Sequence, residues 1–126
     1  MKTKEIENEL SNLFSKYYKE VTGRGPIDIS TNIVGHTIYM KMNCSFTLLE
    51  KSMYQFIIDH NGMQVSNTRL LEEGKKITNK LLEDFGFPIN TEDTLVFPDI
   101  EREYVYLILI LNENLEKEIR KLYEGR

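Results

Sequence analysis

The sequence contains little cysteine, little proline and no long apolar run. Its 126 residues include 1 Cys and 3 Pro. The single cysteine, Cys44, excludes a disulfide within one chain and favours a reducing compartment, so we expect a cytoplasmic protein. The longest apolar stretch, Tyr104 to Leu111, has the length of a strand and falls short of the roughly 18 residues of a membrane span. The charged stretch 1–9 lacks the apolar core of a signal peptide, so we expect no direct membrane insertion.

The charge balance is mildly acidic. Lysine and arginine number 16, aspartate and glutamate number 20, and the formal net charge is -4. Because nucleic-acid binders usually present a clustered basic face, this balance argues against a nucleic-acid partner. The hydrophobic fraction of 40% is that of a folded globular chain and argues against disorder. The length predicts one domain over residues 1–126.

The first third of the chain predicts a helix followed by a β-hairpin. Apolar residues recur every three or four positions from about Thr3 to Val21, which is typical of an amphipathic helix. Two segments with alternating apolar residues follow, Ile27–Val34 and Thr37–Phe46, and this alternation favours antiparallel strands with one covered face. Only Gly35 and His36 separate them, and glycine at the first central position suits a type II′ turn.

Two helices are predicted next. Thr47 to Glu50 fits a capping box, in which the two side chains satisfy each other's free backbone N–H groups, and its helix is expected to end near Ile58. A longer helix is predicted over Val65–Phe85. Gly74 lies on its apolar face, where glycine costs about 1 kcal/mol relative to alanine. We therefore expect a close approach of another element at Gly74.

The last third predicts two strands and a helix. Thr94–Phe97 is a short strand, and Asn114 is a candidate cap for the final helix. The strand Tyr104–Leu111 is apolar on both faces, so it should be central, with its second face covered by a helix of the same chain or by a second copy. The order α-β-β-α-α-β-β-α predicts an α+β fold with an antiparallel four-stranded sheet and helices.

No residue set typical of catalysis or of metal binding is apparent. His36 and His60 fall in predicted turns, and neither has a cysteine or second histidine at ligand spacing, so we expect no metal site. Cys44 continues the apolar face of its strand, which favours packing over nucleophilic chemistry. No phosphate-binding glycine loop and no hydrolase or metalloprotease motif occurs. We therefore expect no catalytic residues, no cofactor and no enzymatic activity.

One motif has two interpretations. Gly23, Arg24 and Gly25 are followed by Pro26 between the first helix and the first strand. The glycine backbone could form a concave nest of N–H groups, and the Arg24 guanidinium suits carboxylate or phosphate, which together predict an anion clamp. Alternatively, the motif is a tight turn in which Gly23 caps the helix and Pro26 sets the entry into the strand.

From this motif onward the sequence resembles the small bacterial MpsC-like proteins, a family with a domain-of-unknown-function label. Its members carry Gly-Arg-Gly-Pro after an aromatic segment, here Tyr17 to Pro26, and then a hairpin and a Thr-x-x-Glu helix start. The usual proline after that threonine is Leu48 here. A long helix ending in glycine and a polar turn before Leu115-Glu116 complete a likeness that extends over residues 6–118.

The resemblance implies a role beside a membrane system. The family is named for a Na+-translocating, membrane-potential-generating system, and it implies a soluble, non-enzymatic accessory or regulatory component that acts through protein contacts. With the doubly apolar strand, this predicts a homodimer that meets the cytoplasmic face of a membrane protein complex. The alternative is a small-anion or metabolite sensor in which Gly23, Arg24 and Gly25 bind the ligand.

Overall fold

The four predicted helices and four predicted strands are present, in the predicted order. A computed structural model describes residues 2–23, 25–26, 28–61 and 68–124. A short π-helical turn, Arg120–Glu124, continues the last helix. The elements are α1 Lys2–Thr22, β1 Asp28–Val34, β2 Thr37–Asn43, α2 Leu48–Asn61, α3 Thr68–Asp84, β3 Thr91–Asp99, β4 Tyr104–Leu111 and α4 Leu115–Ile119.

The strands form one four-stranded sheet in the order β1-β2-β4-β3, with every neighbouring pair antiparallel. This confirms the predicted α+β class and the central position of β4, which pairs with β2 on one side and β3 on the other. The strand order departs from the chain order because β3 and β4 form a second hairpin, whose β4 strand pairs with β2 of the first hairpin. The β2–β4 pairing sets Tyr39 opposite Ile108 and Lys41 opposite Tyr106.

The core lies between one face of the sheet and three helices. Side chains at alternate strand positions are buried against side chains of α1, α3 and α4. In this arrangement α1 packs on β1 and α3 packs on β3. Each strand therefore directs every second residue to this closed face, as the alternation predicts. The buried strand residues include Ile33, Ile38, Met40, Met42, Val96, Val105, Leu107, Leu109 and Leu111.

The predicted hairpin is confirmed, but β2 ends earlier than expected. Gly35 has φ +59°, the left-handed value that a type II′ turn requires at its first central position. β2 stops at Asn43 instead of Phe46. The ladder ends there because Glu103, the residue that would pair with Cys44, lies in a turn with φ 60°. Cys44 and Phe46 nevertheless stay buried, on the face predicted for them.

The other observed strand and helix boundaries differ from the predicted ones mainly where the strand pairing or the apolar pattern is irregular. β3 is nine residues long instead of four. A register shift between Thr91 and Asp93 interrupts the alternation at its start, and the strand continues through Pro98 to Asp99 at its end. Pro98 is tolerated in it because β3 is an edge strand. α2 continues to Asn61, beyond the predicted end at Ile58. The predicted start of the third helix at Val65 lies outside the described residues.

Both predicted N-terminal helix caps are confirmed. The Thr47 N–H donates to Glu50 Oε1 over 2.8 Å, and the Glu50 N–H donates to Thr47 Oγ1 over 3.1 Å. At α4, the Lys117 N–H donates to Asn114 Oδ1 over 2.9 Å. Each cap satisfies backbone groups that have no partner within the helix itself. The capping box therefore sets where α2 begins.

Candidate interaction surface

The second face of the sheet is the main candidate site. It carries the strand residues that alternate with the core, and none of α1, α3 and α4 lies on it, because all three pack on the closed face. The sequence predicted that a helix of the same chain or a second copy covers the second face of β4. None of these three helices supplies that cover. We call this surface the open face, and its apolar centre consists of Tyr39, Leu95, Phe97, Tyr104, Tyr106, Ile108 and Ile110, with Lys41 among them.

The register explains why these side chains form one continuous patch. Tyr39, Ile108 and Leu95 follow one another across three strands, and Lys41, Tyr106 and Phe97 form the next row. Side chains directly opposite each other across an antiparallel pair are close enough to touch. An antiparallel sheet that faces water normally carries polar residues on its outer side. The centre of this open face is instead aromatic and aliphatic.

The open face contains a shallow groove whose lining includes the positively charged side chain of Lys41. The groove has a volume of about 520 Å³, and all of the described residues that line it lie in strands. Tyr39, on its wall, is 45% exposed. The Lys41 ammonium lies 4.2 Å from the centroid of the Tyr104 ring, which lies 6.2 Å from that of Tyr106. Toward the β1 edge the surface becomes polar, at Ser30 and Asn32.

A second apolar surface lies on α2, a helix that packs extensively against no other described element. Leu49, Met53 and Phe56 are 69%, 56% and 62% exposed. Their spacing of four and three residues places them on one side of the helix, and Asp59 continues that side by one turn. We call Leu49, Met53, Phe56 and Asp59 the α2 stripe.

An ion pair anchors the first turns of α2 to the β3–β4 turn. Lys51 Nζ lies 2.9 Å from Glu103 Oε1. The hydrogen bond from Lys51, its positive charge and the Phe46 backbone N–H lower the pKa of the Glu103 carboxyl. Glu103 occupies a left-handed conformation that only a few per cent of residues other than glycine adopt. Its backbone carbonyl also accepts a hydrogen bond from the Cys44 N–H over 2.8 Å.

The predicted anion clamp falls partly outside the described residues. Gly23 ends α1 with φ +78°, and its N–H donates to the Lys19 carbonyl over 2.8 Å, so it acts as the helix cap of the turn interpretation. Arg24 lies outside the described residues. Gly25 is exposed, and a Cβ built on it would lie 4.0 Å from the Lys19 Cβ. Anion binding by Gly23, Arg24 and Gly25 stays a prediction.

The other chemically notable residues have structural surroundings. Cys44 is buried, as its alternation predicts. His36 is exposed in the β1–β2 turn, whereas His60 lies in the last turn of α2 and not in the predicted turn, because α2 extends further than its apolar pattern indicates. The described residues contain no group of three or more His, Cys, Asp or Glu that could hold a metal ion.

A polar groove lies between α1 and the edge strand β1, and side chains of α1 contact β1 there. Glu7 Oε2 accepts the Ile33 N–H over 2.8 Å, and the Ser11 and Thr31 hydroxyls are 2.7 Å apart. The bond from Ile33 occupies a backbone group of an edge strand that would otherwise be free to pair with another chain. No local pattern in the sequence indicates this groove, because only the tertiary structure brings residues 26 positions apart into contact.

Sequence reasoning found part of the open face and missed the α2 stripe. The double apolarity of β4 indicated a second covered surface, but Tyr39 and Phe97 were not assigned to it. A usable signal for the stripe was present, because Leu49, Met53 and Phe56 repeat at helical spacing in a segment with a well-defined start. Such a stripe normally packs into the core of its own chain, and only the structure places it on the surface.

Comparison with known proteins identifies the family. Residues 2–91 match the family described as the Na+-translocating membrane potential-generating system, MpsC. The chain belongs to the MpsC family. This confirms the resemblance to the family as far as residue 91, and the predicted likeness over residues 92–118 lies beyond the match. No curated protein and no solved structure matches the chain.

The MpsC match includes α1, the first hairpin, α2 and α3, and it ends at the first residue of β3. The α2 stripe and the β2 part of the open face thus lie within the matched region, while β4 lies beyond it. In the described part of this MpsC chain, no helix is both long enough and apolar enough to cross a membrane.

Proposed function

We propose that this MpsC-family protein is a non-enzymatic accessory or regulatory component of a Na+-translocating membrane system. In this proposal it resides in the cytoplasm, works as a homodimer and acts through protein contacts at the cytoplasmic side of the membrane complex. Family membership supports the association with the Na+ system. The open face is the observation that supports a role through contacts, because seven aromatic or aliphatic side chains on a sheet surface are typical of a covered interface.

The homodimer predicts a specific molar mass. Size-exclusion chromatography with light scattering at micromolar concentration should give twice the monomer mass of 14.9 kDa, because a second copy covers the open face. Dilution should shift the mass toward the monomer. A mass of 14.9 kDa that does not change up to high micromolar concentration would contradict the dimer.

The accessory role predicts a membrane partner. The immobilised protein, incubated with detergent-solubilised native membranes and analysed by mass spectrometry, should capture a multi-span cation-translocating protein. Resin carrying an unrelated domain of the same size and net charge is the control, since a charge of -4 can retain proteins nonspecifically. Recovery of no membrane protein above that control would count against the accessory role and leave the homodimer unaffected.

A further inference from the structure

We propose that the α2 stripe of one chain docks on the open face of a second copy, and that Asp59 pairs there with Lys41 of that copy. This inference rests on the proposed homodimer and names its interface. By two-fold symmetry each chain supplies one helix and one sheet face, so the contact forms twice. The interface then joins α2, which packs little in the isolated chain, to the open face of the partner's sheet.

The apolar parts of the two surfaces match in size. Leu49 and Phe56 are seven residues apart, which corresponds to about 10 Å along a helix at 1.5 Å per residue. The four strands of the open face are about 14 Å wide at 4.8 Å between neighbours. The stripe therefore fits across the aromatic centre of the sheet. The groove beside Tyr39 and Tyr106 can receive its side chains.

The charges on the two surfaces are complementary. Lys41 lies within the apolar patch, and it forms no ion pair with a carboxylate in the part of the chain that the structure describes. Asp59 is exposed at the end of the stripe and accepts a hydrogen bond from Gln55 Nε2 over 2.9 Å, with no cation paired to it among the described residues. A buried ammonium needs an opposite charge, and the stripe supplies one.

The stripe is better suited to a second copy than to a lipid surface. Helices that lie on membranes are rich in lysine and arginine on their polar side. α2 has one basic residue, Lys51, and two acidic residues, Glu50 and Asp59. Lys51 is already paired with Glu103, so the net charge of α2 opposes binding to anionic lipid.

Charge reversal with mixing tests the interface. Lys41→Glu and Asp59→Lys should each raise the dimer dissociation constant at least about tenfold, because each places like charges opposite one another. An equimolar mixture of the two variants should form a heterodimer of wild-type stability, since both of its contacts then join opposite charges. The K41E/D59K double variant should also recover the dimer. Lys16→Glu, an equal charge change on the exposed side of α1, is the matched control.

The outcomes separate this inference from the proposed function. A wild-type dimer that both single variants leave unchanged would overturn the docking surface and leave the homodimer standing. Recovery in the double variant without recovery in the mixture would also overturn it, because that pattern indicates pairing within one chain. A monomeric wild type would contradict the homodimer itself. Circular dichroism of each variant checks folding, and the neutral variants Lys41→Gln and Asp59→Asn should weaken the dimer in the same direction by a smaller factor.

Discussion

Leu109→Ala is expected to lower the free energy of unfolding by about 2–5 kcal/mol, whereas Ile108→Ala, one residue away, should cost the isolated chain far less. Leu109 is fully buried on the closed face, and removing its isobutyl group leaves a cavity beneath the helices. Ile108 is half-buried on the open face, where the loss of its side chain leaves no enclosed cavity. A domain of this kind is stable by only about 5–15 kcal/mol, so the Leu109 variant should be near its folding limit.

Urea denaturation at several protein concentrations measures both effects. The decrease in the free energy of unfolding caused by Leu109→Ala should not depend on protein concentration, because it arises within one chain. The loss in Ile108→Ala should grow with concentration, because the wild type gains stability from dimerisation that this variant lacks. Equal, concentration-independent losses in the two variants would show that both faces of β4 belong to one core and would remove the argument for an interface.

Two substitutions of Gly74 are expected to change the stability of the protein in opposite directions. Gly74 is buried in α3, and a Cβ built on it would lie 3.5 Å from the Phe14 Cε1 atom of α1, an ordinary van der Waals distance. Gly74→Ala should therefore raise stability by up to about 1 kcal/mol through helix propensity alone. Gly74→Leu should lower it by about 1–3 kcal/mol, because the longer side chain would push α1 and α3 apart.

Thermal and chemical denaturation of these variants checks the helix crossing. Phe14→Ala combined with Gly74→Leu should recover part of the loss, since the first change opens the space that the second fills, and a double-mutant cycle measures this coupling. A destabilised Gly74→Ala variant would contradict the ordinary contact distance. The structure places α1 beside Gly74, with Phe14 as the neighbouring side chain, but at a distance that leaves room for a Cβ and does not require glycine.

Local chemistry was sufficient to predict the elements and several of their ends. The capping box at Thr47 and Glu50, the Asn114 cap and the glycine turn at Gly35 act over a few residues, so each can be recognised without knowledge of the rest of the chain. Boundaries were wrong where the local pattern is irregular. The register shift after Thr91 concealed the first three residues of β3, and the left-handed Glu103 ended the ladder before Phe46.

The sequence alone determined the α+β class, the buried face of each strand in the first hairpin and membership in the MpsC family, because these depend on periodicity and on motif order along the chain. Only the tertiary structure decided which surfaces are left open. Three helices pack on one face of the sheet, α2 packs extensively on neither, and the strand order β1-β2-β4-β3 gathers Tyr39, Phe97 and Tyr106 from three separate segments. Such a patch depends on the pairing of distant strands, which periodicity within one segment does not encode.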